Sequence, residues 1–246
     1  MTLSDLNAPA PKILKALISQ IRDEGCGIKT FRLEFPAGSR FSFLPGQFVL
    51  IAFPDDEDTR RPYSIASSPL DTGYVEFSVG DYGRFAQRLF KLNGGETLLV
   101  SQAQGAWTLR EDDRNAAFIS VSAGLAPLRS MIRHVLAKGL PTKMTLFYEE
   151  SKPSCILYKN ELEHFERQGV EVHTTLTETE DLPEGEIWDG PTGPIRIKDI
   201  RKKVKDFKTA SYYVCGPNEF VDAIRSGLLK AGVGPDLIRA SKWGDF

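Results

Sequence analysis

The sequence predicts two domains of different class: an antiparallel β-barrel, then an α/β domain with a doubly wound parallel sheet. Three observations carry this. Up to residue 111, short runs rich in Val, Ile, Leu and Phe alternate with turn clusters and no long helical pattern occurs, which is the rhythm of a barrel built from regularly spaced strands. From residue 115 the rhythm changes to strand then helix, repeated, as a parallel sheet requires. Between them lies the charged loop Glu111-Asp112-Asp113-Arg114-Asn115. A chain of 246 residues is long enough for two ordinary domains, and the change of rhythm puts them at residues 10–111 and 115–246.

In the first half, strands are expected at Ile13 to Ile21, Lys29 to Phe35, Gln47 to Phe53, Arg61 to Ala66, Val75 to Val79 and Thr97 to Ser101. One helix interrupts them, from Arg84 to Lys91, with Phe85, Leu89 and Leu92 on one face. In the second half, Ala116 to Ser120 is an apolar strand. Pro127 to Leu136 then places Leu128, Met131, Ile132, Val135 and Leu136 at the spacing of a buried amphipathic helix, with Pro at its start. Strands follow at Lys143 to Tyr148, Val170 to Leu176 and Ser211 to Val214, separated by helices through Tyr158, Leu162 and Phe165 and near Lys198 to Val204. Helix Glu219 to Lys230 comes last. The cleft between two such domains is the expected site.

Composition narrows the function classes. With 31 basic and 33 acidic residues the formal charge is −2, so no electrostatic footprint points to nucleic acid. No apolar run is long enough to span a membrane, and Met1 to Pro11 lacks the apolar core of a signal peptide; a cytoplasmic protein without membrane or nucleic-acid partners is expected. Cys26, Cys155 and Cys215 are too few and too scattered for a disulfide framework and are expected as reduced thiols. They also lack the spacing of an iron-sulfur site. His134, His164 and His173 share no motif, and no metal site is expected.

The chemistry-bearing segment is Arg61-Pro62-Tyr63-Ser64. Arg offers a charged donor fork to a pyrophosphate, Tyr a planar face to an aromatic ring system, and Ser a hydroxyl beside it; together they describe a flavin site. With Leu44-Pro45-Gly46-Gln47-Phe48 upstream and Ile65-Ala66-Ser67-Ser68-Pro69 downstream, the segment resembles the flavin domain of the ferredoxin-NADP reductase family. The resemblance runs from Lys12 to Trp243 and includes Gly83-Arg84-Phe85-Ala86 and Cys215-Gly216-Pro217-Asn218.

The resemblance implies FAD as the bound flavin, with FMN open. Arg61, Pro62, Tyr63, Ser64 and Val79 would contribute to the site, and the amides of Gly83, Arg84, Phe85 and Ala86 would complete the pyrophosphate cradle. Ala86 stands where relatives often carry Ser or Thr. Gly124, Thr177, Gly216 and Pro217 would line the nicotinamide coenzyme, Trp243 or Phe246 would cover the flavin face, and Tyr63, Ser64 and Cys215 would surround the hydride path.

The nucleotide half departs from the family pattern. Val121-Ser122-Ala123-Gly124 stands where relatives have a run of glycines, so Cβ atoms could block phosphate approach or demand unfavourable dihedrals. Glu149-Glu150-Ser151 replaces Gly-x-Arg. Thr177-Glu178, followed by Glu180, Asp181 and Glu184, replaces the Ser-Arg that holds a 2′-phosphate, which disfavours NADPH and permits NADH. Ser241 stands where a Glu is common, so a carboxylate base is absent there.

The function implied is a flavin-dependent oxidoreductase that passes electrons from NAD(P)H through FAD to a separate carrier, ferredoxin-like, flavodoxin-like or an oxygenase component. Two alternatives follow from the departures: a flavin-bearing electron-transfer subunit with an eroded nicotinamide site, and a non-enzymatic binding module on the same fold.

Overall fold

The computed structural model describes residues 13–180, 182 and 184–243. Its first half contains strands β1 (Leu14–Gly25), β2 (Ile28–Glu34), β3 (Phe48–Phe53), β4 (Asp56–Ser64), β5 (Tyr74–Gly80) and β6 (Thr97–Val100), with helix α1 (Gly83–Phe90) between β5 and β6. They form one antiparallel sheet in the order β4-β3-β6-β1-β2-β5. The sheet curls until the chain just beyond β4 meets β5, where the Ala66 amide donates to the Glu76 carbonyl at 2.7 Å. Alternation fills the interior: Phe31 and Leu33 of β2 face Phe77 and Val75 of β5 in register, all fully buried or nearly so, and the Phe31 and Phe77 rings stack at 5.5 Å.

The second half alternates β7 (Asn115–Val121), α2 (Leu125–Lys138), β8 (Lys143–Glu150), α3 (Lys159–Arg167), β9 (Glu171–Leu176), α4 (Ile197–Lys203), β10 (Ser211–Pro217), α5 (Asn218–Lys230) and β11 (Ile238–Trp243). All five strands are parallel, in the order β11-β10-β7-β8-β9. The period of two divides each strand between two cores. Phe118, Tyr213 and Cys215 join α2 and α3 on one face; Ile119, Tyr212 and Val214 join α4 and α5 on the other. The order reverses between β7 and β10, which makes their carboxyl ends the switch point where open α/β sheets bind ligands.

Three findings differ from the sequence reading. The tail forms β11, pairing in parallel with β10 from Tyr212↔Ile238 to Pro217↔Trp243. It escapes detection because an edge strand with little apolar alternation owes its place to backbone pairing. For the same reason β4 starts five residues early: the polar stretch from Asp56 pairs back on β3 as a hairpin. Third, Cys26 and Cys155 form a disulfide across 129 residues, with Cα atoms 5.1 Å apart, which corrects their reading as reduced thiols. Neither has a sequence neighbour that signals the pairing; the β1–β2 turn and the segment after β8 meet only in three dimensions.

That bridge is one of several ties between the halves. Arg129 of α2, 4% exposed, donates to Glu76 Oε2 at 2.7 Å and to the Ala66 carbonyl at 3.0 Å, while Arg22 and Arg32 each meet Glu76 Oε1 at 2.9 Å. Ser130 donates to the Ser67 carbonyl at 2.6 Å. Tyr158 bonds Ser78, which bonds Thr30. Burial alone would raise the Glu76 carboxyl, but the facing Arg129 and Arg22 guanidinium groups hold it down at about 2. Among the described residues no helix is long and apolar enough to cross a membrane.

Candidate functional site

The end of β4 presents the Arg-Pro-Tyr-Ser segment opposite β3, in register Ile51↔Arg61, Val49↔Tyr63 and Phe48↔Ser64. Arg61 and Pro62 are exposed and Tyr63 and Ser64 half-buried. Arg61 makes no ion pair among the described residues; one guanidinium nitrogen donates to the Arg60 carbonyl at 2.9 Å. The Tyr63 ring lies 5.0 Å from Phe77 and 6.2 Å from Phe85, the third residue of α1, so the aromatic contact ties β4 to the helix. Burial pushes the Tyr63 phenol up to about 12, and the hydroxyl stays a neutral donor.

At the start of α1, Tyr82 is extended (φ −121°, ψ 119°) and no side chain caps the helix. Gly83 follows at φ +79°, and a Cβ there would stand in open space. The first amides of the helix are therefore uncapped beside a surface that backbone alone forms, which suits an anion. Arg84 is exposed. Val79 and Ala86 sit in the barrel core, 2% and 3% exposed, and their contribution to a ligand comes through the backbone.

The corresponding turn of the second half leaves β7 through Val121 (φ −128°, ψ 140°). Ser122 adopts φ +48°, the left-handed conformation that glycine reaches at no cost. Val121 keeps ordinary strand dihedrals, and its Cγ1 lies 3.1 Å from where a Gly216 Cβ would stand. Gly124 is confined by its neighbours: a Cβ there would collide with the Cys215 carbonyl and come within 2.8 Å of Trp243 Cη2. The half-buried Trp243 thus closes the end of β11 over the turn.

Cys215 is 2% exposed. Burial pushes its thiol up to about 12, partly offset by a hydrogen bond with Ser241, so it is a neutral group and no thiolate nucleophile. Gly216 is buried, and Pro217 is exposed and leads into α5. Beyond β9, the Thr177 amide donates to the Glu150 carbonyl at 2.9 Å. Glu178 is exposed and faces Lys152 Nζ at 3.6 Å. Asp181 and Phe246 lie outside the described residues.

These two clusters approach each other around the start of α2. The chain after Ser64 reaches Ala66, whose carbonyl receives Arg129; one turn earlier Gly124 packs on Cys215 and Trp243. A cleft of about 760 Å³, lined by Arg22, Arg129, Pro153, Tyr158, Lys159 and Glu161 among others, opens along the domain boundary beside the disulfide, and none of the sequence-predicted residues lines it. The sequence reading missed Glu76 and Arg129, which carry no local signal, and the burial of Glu150. For the last, the available hint was the pair of carboxylates in Glu149-Glu150-Ser151, where relatives carry Gly-x-Arg.

Comparison with known proteins fits both halves. Residues 16–109 match the oxidoreductase FAD-binding domain and residues 118–226 the oxidoreductase NAD-binding domain. The chain belongs to the ferredoxin-NADP reductase-like family. The reductase component of propane 2-monooxygenase from Rhodococcus jostii is 29% identical over 221 residues, covering 85% of this chain and 57% of that relative; the chain thus spans little more than half its length. The NAD(P)H-flavin reductase of Aliivibrio fischeri is 24% identical over 212 residues, covering 82% of this chain and 86% of the relative. Among solved structures, the ferredoxin reductase in carbazole 1,9a-dioxygenase superposes with a TM-score of 0.83 at 25% identity, covering 96% of this chain and 71% of the other. The cytochrome b5 reductase domain of Ulva prolifera nitrate reductase, at 19% identity and a TM-score of 0.78, covers 96% of this chain and 100% of that one and shows the fold alone.

For a reductase-like chain of this family, the residues present fit a flavin dinucleotide. The open Gly83 turn with uncapped amides suits a diphosphate, Arg61 is exposed and makes no ion pair among the described residues, and the half-buried Tyr63 links its strand to the helix through Phe85. The nicotinamide side fits in its backbone, since the turn after β7 has the dihedrals that a glycine would supply.

Proposed function

We propose that this chain is an FAD-dependent oxidoreductase that takes electrons from NADH and hands them to a separate electron-carrier protein. The observation that carries the reading is that the chain just beyond the Arg-Pro-Tyr-Ser segment docks on α2, through the Ala66 carbonyl and Arg129, beside the strand-end switch point of a doubly wound sheet. The domain division at residues 10–111 and 115–246 is part of the proposal, supported by the two separate sheets and the two matched family models.

In this reading, Arg61 and the amides at Gly83 to Ala86 hold the diphosphate of FAD, Tyr63 packs on its ring system and Ser64 donates or accepts a hydrogen bond at the ring edge. Bound flavin supplies the chemistry of accepting a hydride and releasing electrons singly, which no side chain can do. The protein positions and insulates. Gly216 and Pro217 shape the floor where a nicotinamide would lie, and the neutral Cys215 thiol, fixed by Ser241, presents no charge to it. Trp243 shields the turn from water.

Thr177, Glu178 and Lys152 bear on the coenzyme. Lys152 faces Glu178 at 3.6 Å, so a 2′-phosphate reaching its ammonium would also meet the Glu178 carboxylate, whereas that carboxylate accepts from a ribose hydroxyl. NADH is accordingly the favoured donor. The printed names of relatives include an oxygenase reductase component and a ferredoxin reductase, which supports an iron-sulfur or oxygenase partner for this chain, whose three cysteines form no cluster site among the described residues. A cytoplasmic setting stays part of the proposal. The Cys26–Cys155 bridge pulls the other way, since cytosolic thiols are kept reduced, and thiol titration of freshly isolated protein decides it.

The test is an absorbance spectrum of the purified protein before and after anaerobic NADH. A yellow protein that bleaches rapidly supports the reductase. A yellow protein that does not bleach sinks it in favour of an electron-transfer subunit, and a colourless one that takes up no added FAD leaves only a binding module.

A further inference from the structure

Glu150 closes β8 at the carboxyl edge of the parallel sheet, beside the turn that opens α2. It is 6% exposed. Its carboxylate accepts from the Ser151 amide at 2.9 Å and from the Tyr148 hydroxyl at 3.0 Å, and the Ser122 hydroxyl bonds it from the neighbouring strand end. Ser122 is the residue in the left-handed conformation. A carboxylate thus gathers, at the sheet edge, the kind of donors that a phosphate would otherwise draw on.

We propose that Glu150 couples dinucleotide binding to proton uptake: its carboxylate sits where the pyrophosphate of a nicotinamide dinucleotide approaches the strand ends, so the nucleotide binds best when Glu150 carries a proton. This rests on the reductase reading, and it adds the residue that sets coenzyme affinity. Two anionic groups brought together in a site of low dielectric cannot both stay charged cheaply.

The groups facing Glu150 do not relieve that repulsion. On its own strand, Tyr148 is a buried neutral phenol and Glu149 adds a second negative charge. Across the sheet edge, Ser122 offers only a hydroxyl. Lys152, two residues on, is paired with Glu178 beyond β9. Among the described residues no Lys, Arg or His makes an ion pair with Glu150. Burial raises its carboxyl above the usual range, the Ser151, Tyr148 and Ser122 bonds work against this, and Glu149 adds to it. A phosphate nearby raises it further, so binding takes up a proton in a window above the ordinary carboxylate range, and affinity falls as pH climbs through that window.

The experiment is calorimetric titration of the full chain with ADP-ribose, a redox-silent probe that keeps the pyrophosphate, from about pH 5.5 to pH 8.5 in two buffers of different ionisation enthalpy. Wild type should take up a fraction of a proton and lose affinity with rising pH, by at most about tenfold per unit. Glu150→Gln keeps the side-chain size, can keep the Ser151 amide bond through its carbonyl oxygen, and removes the titration; it should take up no proton through this site, give a flat profile, and bind about tenfold tighter at the alkaline end. The buffer comparison on wild type stands even if the variant fails to fold. Binding without proton uptake, or an unchanged slope in Glu150→Gln, overturns the proposal while leaving the reductase reading intact. If ADP-ribose does not bind at any pH and NADH does not bleach the flavin, both fall.

Discussion

Two strand-to-helix turns in this molecule solve one backbone problem differently. Before α1, extended Tyr82 is followed by Gly83 at φ +79°; before α2, extended Val121 is followed by Ser122 at φ +48°. Both chains must reverse sharply enough for helix amides to face the sheet edge. The first does so with a residue that has no Cβ, leaving Tyr82 to Arg84 exposed. The second uses a serine whose hydroxyl is tied to Glu150, and then buries Gly124 to Ser130 continuously. An open glycine turn suits a ligand held for the life of the protein, since nothing must move to admit the phosphate. A turn tied by a side chain links ligand binding to the state of the tether.

The largest expected effect tests how far the second turn is fixed by its interface. Arg129 lies just inside α2 and neutralises Glu76, whose side chain is fully buried. Arg129→Ala should destabilise the chain by about 3 kcal/mol, the low end for removing one partner of a buried pair, because Arg22 and Arg32 still reach the other Glu76 oxygen. Urea unfolding measures it; a loss below about 1 kcal/mol would show that the charge network does not hold α2. The same pair predicts an acid transition. Because the folded Glu76 carboxyl is held at about 2 against an ordinary value of 4.5, its contribution is complete above the unfolded value and is lost as pH falls between the two. Glu76→Gln should flatten that part of the pH–stability curve.

On the open turn, Arg61→Ala removes a charge-assisted bond worth roughly 1.5 to 3 kcal/mol. Flavin affinity should therefore drop at least tenfold, with unfolding in the flavin-free state little changed because Arg61 is exposed. Equal flavin content in variant and wild type would remove the barrel turn from the comparison. Glu178→Arg acts on the other side and more weakly. It removes a repulsion and also releases Lys152 from its ion pair, so the NADPH to NADH ratio of turnover should rise by about tenfold; an unchanged ratio would place the ribose elsewhere.

How much of this was legible in the sequence follows the same division. The barrel motif has a local structural counterpart for each residue: Arg61 is exposed, Tyr63 faces aromatic neighbours, and Gly83 has a positive φ. The α/β half reads as a fold, through the periodicity of α2 and the apolar runs of β7 and β10. Its site reads poorly, because Gly124 and Gly216 are glycine for packing against Cys215, Trp243, Phe220 and Val121, contacts that no spacing encodes. Glu76 with Arg129, 53 residues apart, and Cys26 with Cys155 are meetings of distant segments. By residue type alone, serine at position 122 is an obstruction. The backbone shows it taking up the conformation that the missing glycine would have supplied.

The smallest effect separates the two turns by sign. Gly83→Ala forces a Cβ into the left-handed region and should cost about 1 to 2 kcal/mol, and since that Cβ would meet no protein atom, the loss would be purely conformational and would grow when FAD is bound. Ser122→Gly runs the other way at the backbone, releasing a residue from a strained conformation while adding entropy to the unfolded chain and freeing one hydrogen bond on Glu150. The terms oppose one another, and the net change in unfolding free energy should stay within about 1 kcal/mol. What should respond is the tether. With Ser122 gone, Glu150 loses a donor that favours its ionised form, its carboxyl rises further, and the pH at which ADP-ribose affinity begins to fall moves upward. A variant whose stability drops by several kcal/mol, or whose binding profile does not shift, would mean that the serine turn is held by something other than Glu150.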